Sequence, residues 1–261
     1  MKAVIRYSFA AVLAAALCVG MGFLYHHVRQ EASGSVCNRL EISFADSLHF
    51  VREQDIREYL DSRYGPCIGE RLDSIRLASI EDMLESRSAV MRAEAWTTRD
   101  GTLHIDITQR APVLRFQGDE SGFYVDEHGY IFPLHPSYTA PVPVVEGAIP
   151  VSVPAGFKGE APDEGGRAWI AGVLEMNRFI SASRTWRRNI EHIRVRPGGD
   201  LLLSLTGRDE LFLVGQPEDI PDKLMRIDRY IGVIAPSKPE GYYKTVIVKY
   251  NKQIICSQKD T

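Results

Sequence analysis

Side chains able to carry chemistry are present, but their spacing does not suit it. His26, His27, His49, His104, His128, His135 and His192 share no metal-ligand spacing, and each fits a surface, interface or turn histidine. Asp126 and Glu127 are the one acidic pair that invites a glycosidase reading, in which two carboxylates act as acid and base across a sugar bond. Adjacent residues on a strand point to opposite faces, so turn chemistry accounts for this pair better. No nucleophile elbow, phosphate loop, H-E-x-x-H helix or glycine-rich dinucleotide turn occurs. The expectation is a protein that is not an enzyme, with no cofactor, metal or small-molecule substrate.

The cysteines give little more. Outside an apolar run that holds Cys18, the three others, Cys37, Cys67 and Cys256, form no C-x-x-C pair. Cys37 and Cys67 would bridge in an oxidising compartment, and two unbridged thiols are the alternative. A hydrolase could be built only on Cys256 with His192. Lys223, Arg226 and Arg229 recur at i, i+3, i+6 among Asp219, Asp222 and Asp228, which predicts a solvated, salt-bridged helix face.

The elements that would position these residues come from a chain of 261 residues, 44% hydrophobic and 25% charged, enough for one large domain or two small ones. These are globular averages, which exclude a disordered tail, a collagenous chain and a polytopic membrane protein. Three of the 31 basic residues, Lys2, Arg6 and Arg29, fall in the first 30 positions, and none of the 34 acidic ones does. The remainder is acidic, which argues against a nucleic-acid surface.

Tyr7 to Tyr25 is 19 residues without a charge. At about 1.5 Å per residue such a helix just crosses a hydrocarbon core of about 30 Å. With Lys2 and Arg6 before it, the positive-inside rule places residues 1–6 in the cytoplasm and the bulk outside. A cleaved signal peptide is the alternative, but its apolar region is normally about 7 to 15 residues. Here apolarity continues past the alanine-rich stretch, and Leu17 is a poor neighbour for a lipidated Cys18. An uncleaved anchor over 7–25 is the expectation.

Beyond the anchor, RLEISF from Arg39 alternates as a half-buried strand. Two helices follow, one with Val51, Ile56, Tyr59 and Leu60 near helical spacing and stopped by Gly65-Pro66, the other with Leu77, Ile80 and Leu84 at i, i+3, i+7 and an acidic first turn after Ser79. AVMRAEAWTT and TLHIDITQ form a hairpin through Asp100-Gly101. GFYVD and YIFPL form another around Glu127-His128-Gly129. Seven prolines from Pro133 to Pro162 then predict edge and loop, with VPVVEG as one short strand. A helix with Trp169, Val173, Met176 and Ile180, three strands (IEHIRVR, LLLSLT, ELFLVG), a helix over 219–234 and the strand YKTVIVKY with its partner QIIC complete the pattern. In the penultimate strand Thr245, Ile247 and Lys249 alternate with Val246, Val248 and Tyr250, the second set facing the core. A terminal sheet edge can accept a strand from another protein.

The anchor, LEISF, IGERLDSIRLASIEDMLES, SAVMRAEAWTTRDGTLHIDITQRAPV, GFYVDEHGYIFPL with PVPVVEG, and VIVKYNKQII stand in the order of the FtsQ/DivIB family of bacterial cell-division proteins, which the chain resembles over residues 38–256. The resemblance implies an α+β chain with one transmembrane helix, a POTRA-like β-α-α-β-β domain over 38–109, and a β-rich domain with flanking helices over 110–258. It implies a non-catalytic scaffold of the inner membrane that receives a strand from an FtsB-type partner, in a complex with an FtsL-type protein, and regulates septal peptidoglycan synthesis. The partner-binding positions carried over are Val248, Tyr250 and Lys252, joined by Ile247 and Lys249 on the same strand. A basic residue that some relatives use before the strand at Leu201 is replaced here by Gly198, Gly199 and Asp200. The rival readings are the hydrolase above and a POTRA-containing envelope assembly chaperone.

The topology is open to direct labelling. Cysteines introduced at Ser35 and Ser257 are expected to react with a membrane-impermeant maleimide in intact spheroplasts, and protection of both would overturn the orientation.

Overall fold

The computed structural model describes residues 17–22, 35–118 and 121–258. Residues 17–22 are helical, and among the described residues no helix is long and apolar enough to cross a membrane. Most of the expected anchor over 7–25, and the whole 1–6 tail, lie outside the described residues. The rest divides into two compact units on either side of the Gln109–Arg110 bond.

The first unit has a three-stranded sheet of β1 (Arg39–Phe44), β2 (Val90–Thr97) and β3 (Thr102–Gln109), with helices α1 (Glu53–Arg63) and α2 (Leu77–Glu85) between β1 and β2 in the chain. The sheet order is β1-β3-β2, with β1 parallel and β2 antiparallel to β3. Strand alternation puts Leu103, Ile105 and Ile107 of β3 inward. Helical spacing brings Ile56 and Leu60 of α1, and Ile80 and Leu84 of α2, into the same buried set. The expected acidic first turn of α2 is not there, because the helix starts two residues before Ser79. Glu81 and Glu85 are thereby free for another task.

One buried amide fastens the loop after β1. Gln109 Nε2 donates to Asp46 Oδ1 (2.9 Å) and to the Leu48 carbonyl (2.7 Å), while its Oε1 accepts from Val51 N–H (2.9 Å). Its own N–H donates to Asp46 Oδ2 (2.7 Å). A buried amide partnered at both ends is stabilising, whereas truncating it would orphan several groups together.

The second unit is a nine-stranded sheet in the order β12-β11-β10-β9-β8-β7-β4-β5-β6. Its strands are β4 (Pro112–Gln117), β5 (Gly122–Asp126), β6 (Ile131–Pro133), β7 (Val144–Gly147), β8 (Ile190–Val195), β9 (Leu201–Leu205), β10 (Leu211–Gly215), β11 (Tyr243–Ile247) and β12 (Ile255–Gln258). Two points differ from the sequence reading. PVLRFQ, which opens on a proline, is strand β4. The proline-rich stretch supplies β7 to the middle of the sheet, where it pairs in parallel with both β4 and β8. Parallel strands need long connections, so β7 is recruited by residues distant in sequence, and local proline density says nothing of its place.

Register threads one row of side chains across this sheet. Phe123, Phe116, Val145, Ile193, Leu203, Phe212, Val246 and Cys256 are successive partners on eight strands from β5 to β12. Helix α3 (Glu164–Ala182) contributes Trp169, Ile170, Val173, Leu174, Met176 and Ile180 to the same core, and α5 (Ile220–Arg229) contributes Leu224 and Ile227. A four-residue helix α4 (Trp186–Asn189) leads into β8, and a π-helical turn (Tyr230–Ile234) extends α5. The α3 start is fixed by Asp163, whose carboxylate accepts from Gly166 N–H at 2.7 Å.

Ile105→Asp places an unpaired carboxylate in the first unit's core and is expected to destabilise that unit by several kcal/mol, about the cost of burying an uncompensated polar group. A thermal melt that matches the parent would contradict the inward assignment of β3.

Candidate functional site

The strand YKTVIVKY, 243–250, which the sequence reading takes as the docking edge because it carries Ile247 to Tyr250, is not an edge. β11 stops at Ile247 and is paired on both sides, parallel to β10 and antiparallel to β12. The edge belongs to β12. Sequence alternation gives the side-chain faces of a strand but not which neighbours flank it, so a strand near an edge and the edge itself look alike.

The two ladders fix where the main-chain groups of β12 point. Val248 N–H donates to the Leu213 carbonyl of β10 (3.0 Å), so the N–H and C=O of Val246 and Val248 face β10. Those of Thr245 and Ile247 therefore face β12, opposite Ser257 and Ile255. Ser257 and Ile255 are consumed in the ladder, and Cys256 between them turns its N–H and C=O outward. Side chains alternate the other way: Cys256 continues the core row, whereas Ile255 is 42% exposed. No described residue pairs with the outer side of β12.

Each of the sheets' other edges has outward backbone groups met from within the chain. On β2, the N–H groups of Ala93 and Ala95 donate to Glu85 Oε1 (3.0 Å) and Glu81 Oε1 (2.8 Å) of α2. The match is geometric, since i, i+4 on a helix and i, i+2 on a strand both advance by about 6 to 7 Å. On β1, Arg57 Nη2 donates to the Leu40 carbonyl (2.8 Å). On β6, Ile131 exchanges both backbone bonds with Gly159 (2.8 and 3.0 Å).

The turn into β12 is held from beneath. Tyr250–Gln253 closes with Gln253 N–H on the Tyr250 carbonyl (3.3 Å), and Lys252 adopts a left-handed φ of 56°. Arg226 of α5 also donates through Nη1 to the Tyr250 carbonyl, and its Nη2 lies 3.0 Å from Asp222 Oδ2. Lys223 donates to the Gln216 carbonyl (2.8 Å). These two members of the expected solvated, salt-bridged ridge are 8% and 6% exposed, which corrects its solvated half: they are buried and donate to backbone carbonyls of neighbouring loops, while the Arg226–Asp222 pair is a salt bridge of the kind expected. Helical spacing set the cations on one face, but only the folded chain brought carbonyls to them.

The expected partner-binding residues cluster here without all being available. Val248 is buried; Ile247 is half-buried between Leu213 and Ile255. Lys249 Nζ is 3.0 Å from Asp200 Oδ2 and 5.3 Å from the Tyr250 ring centroid. Gly215, at φ 79°, makes room for this arrangement, since a Cβ there would lie 2.7 Å from Lys249 Cβ. Tyr250 is 49% exposed, although the alternation had placed it inward. Asp200 therefore has an internal cation. Burial pushes its carboxyl up, but the bonds from Lys249 and Gln216 with the Lys249 and Arg196 charges outweigh it and hold it below the usual carboxylate range. The reading from sequence missed Cys256, Ser257 and Gln258 as edge residues, although the partner strand QIIC was legible.

The chemical alternatives are not assembled. Asp126 is buried and accepts from His128 N–H (2.9 Å), Tyr130 N–H (3.0 Å) and Arg110 Nη1 (2.7 Å), while Glu127 is exposed. Turn chemistry is what this pair does. His192 on β8 is separated from Cys256 on β12 by three strands, roughly 19 Å at about 4.8 Å per strand, and burial pushes the Cys256 thiol up. Among the described residues no three of His, Cys, Asp and Glu group as metal ligands.

A folded-state pKa below the unfolded one gives Asp200 a stabilising role above the unfolded value that fades as pH falls through the folded one. Asp200→Asn is therefore expected to melt below the parent at pH 7, with the gap closing below about pH 4. A gap that is constant with pH would remove the role assigned to the Lys249 pair.

Comparison with known proteins gives two family matches. A model described as FtsQ/DivIB, C-terminal related, matches residues 111–257, and a model of a POTRA-like domain matches residues 35–108. No curated protein matches the chain.

Proposed function

From the premise that this chain belongs to the FtsQ/DivIB family, a family of division-site membrane proteins that is generally non-catalytic, we propose that it is a membrane-anchored scaffold that receives a partner strand on β12. Its domains are those of a division-associated scaffold, a POTRA-like domain followed by a β-rich one. The partner is an FtsB-type division protein, held with an FtsL-type protein, and the assembly regulates septal peptidoglycan synthesis. The single observation carrying this reading is the edge inventory. On β1 a guanidinium meets the Leu40 carbonyl, on β2 two carboxylates meet the Ala93 and Ala95 N–H groups, and on β6 a loop backbone pairs with Ile131, while β12 presents Cys256 N–H and C=O with no described partner.

In strand addition, main-chain bonds supply affinity and alternate side chains supply choice. An incoming strand would bond Cys256 and lie along Ile255 and Ser257 on one face. Tyr250, exposed at the turn where β12 begins, is the aromatic anchor of this reading. Lys252 shapes the turn through its left-handed backbone, and Lys249 stiffens it through Asp200. Ile247 and Val248 act at one remove, by seating β12. The reading also fixes orientation, with residues beyond the anchor outside the cytoplasm at the septum.

Proline scanning separates the docking face from the ladder. Cys256→Pro removes an outward donor, which an edge strand tolerates, and is expected to weaken binding of the partner's extracytoplasmic segment about tenfold, ~1.4 kcal/mol, with an unchanged circular dichroism spectrum. Ser257→Pro removes a ladder bond and is expected to loosen the fold as well. Tyr250→Ala is expected to cost about 2 kcal/mol of binding. Parental affinity in folded Cys256→Pro and Tyr250→Ala variants would mean that the partner docks elsewhere.

A further inference from the structure

We propose that Cys37 and Cys67 are a disulfide-forming pair that staples the segment entering β1 to the end of α1; this rests on the reading that the first unit lies outside the cytoplasm. In the structure both are free thiols, 1% and 3% exposed. The backbone brings them together. Cys37 N–H donates to the Glu70 carbonyl (2.8 Å), and Gly69 N–H donates to the Cys37 carbonyl (2.7 Å). The ladder runs on through the Val36–Arg71 bridge and Leu72 N–H on the Ser35 carbonyl (3.0 Å). Cys67 closes a tight turn onto the same ladder, its carbonyl accepting from Glu70 N–H (3.2 Å). Cys37 therefore sits opposite residues 69–70, and Cys67 is one turn away with its side chain buried in the same unit. Each sulfur now rests on a nearby carbonyl, Cys37 Sγ on Arg39 O (3.4 Å) and Cys67 Sγ on Gly65 O (3.8 Å), contacts that each thiol gives up when the bond forms.

Burial first, and then the charge on Cys37, push the Cys67 thiol up to about 11. That sulfur is a poor nucleophile at neutral pH once folded, so the bond forms while the chain is still opening and closing, when thiols keep their ordinary acidity. The co-reactant is a disulfide-bearing oxidant of the dithiol class. One cysteine thiolate attacks an oxidant sulfur, breaking the oxidant's S–S bond and giving a mixed disulfide and one thiolate. The second cysteine attacks the protein-side sulfur, forming Cys37–Cys67 and releasing the other thiolate. The two protons lost by the cysteines go to those two sulfurs; the protein loses two electrons and the oxidant gains them. The closed loop contains β1 and α1, so the bond ties the point where the chain enters the domain to its first helix.

The test uses the full chain in detergent, unfolded, refolded in oxidised glutathione and mapped by mass spectrometry without reduction. A Cys37–Cys67 peptide is expected, with the first thermal transition rising on the order of 10 °C over the Cys37→Ser, Cys67→Ser variant. Absence of that peptide, or pairing of either residue with Cys256, would overturn the proposal on geometry. Acid trapping and alkylation of the chain from its host is the second arm. A bridged pair there supports the proposal, whereas free thiols in the host after efficient bridging in vitro would overturn it through the compartment, leaving the geometry standing.

Discussion

An open sheet must do something with the backbone groups on its two outermost strands. Each outward N–H and C=O wants a partner, and water, a side chain, a loop or another chain can supply one. The first unit uses side chains on both edges: Glu81 and Glu85 along β2, Arg57 against β1. The second unit closes β6 with the Gly159 backbone and stops at β12. That difference organises the functional reading, since side chains meet some outward groups on both edges of the first unit whereas no described residue pairs with the outer side of β12.

The presented strand is short, and most of the machinery near it serves to keep it in place. The core row from Phe123 to Cys256 locks register across eight strands, so a slip of β12 by one residue would bring Ile255 or Ser257 inward in place of Cys256. Arg226 from α5 and the Asp200–Lys249 pair hold the turn that leads into β12. Buried cations are expensive unless their donors are used. Lys223 bonds the Gln216 carbonyl, and Arg226 bonds the Tyr250 carbonyl and the Asp222 carboxylate while its Nε stays buried without a partner, so these two cations of α5 serve position rather than solubility.

This arrangement explains why side chains near the edge differ in what they can offer a partner. Tyr250 and Ile255 are exposed and apolar, whereas Val248 is committed to the core and Lys249 to Asp200. Before β9 stands Asp200, an acid paired with Lys249 within the chain.

Periodicity alone established the β-α-α-β-β order of the first unit, the helix over Trp169 to Ile180, the strands around Leu203, Phe212 and Val246, and the turn role of Asp126-Glu127, because all of these depend on neighbours within a few residues. The tertiary structure decided what depends on residues far apart. It moved β7 from a proline-rich margin to the sheet's middle, since parallel pairing with β4 and β8 leaves no local signature. It made β4 a strand despite Pro112, moved the edge from 243–250 to Ile255–Gln258, and buried Lys223 and Arg226 against carbonyls of distant loops. An amphipathic pattern tells which face of an element is apolar, but which element lies beside it is set by long-range pairing, and only that pairing determines whether a backbone donor is spent or left free.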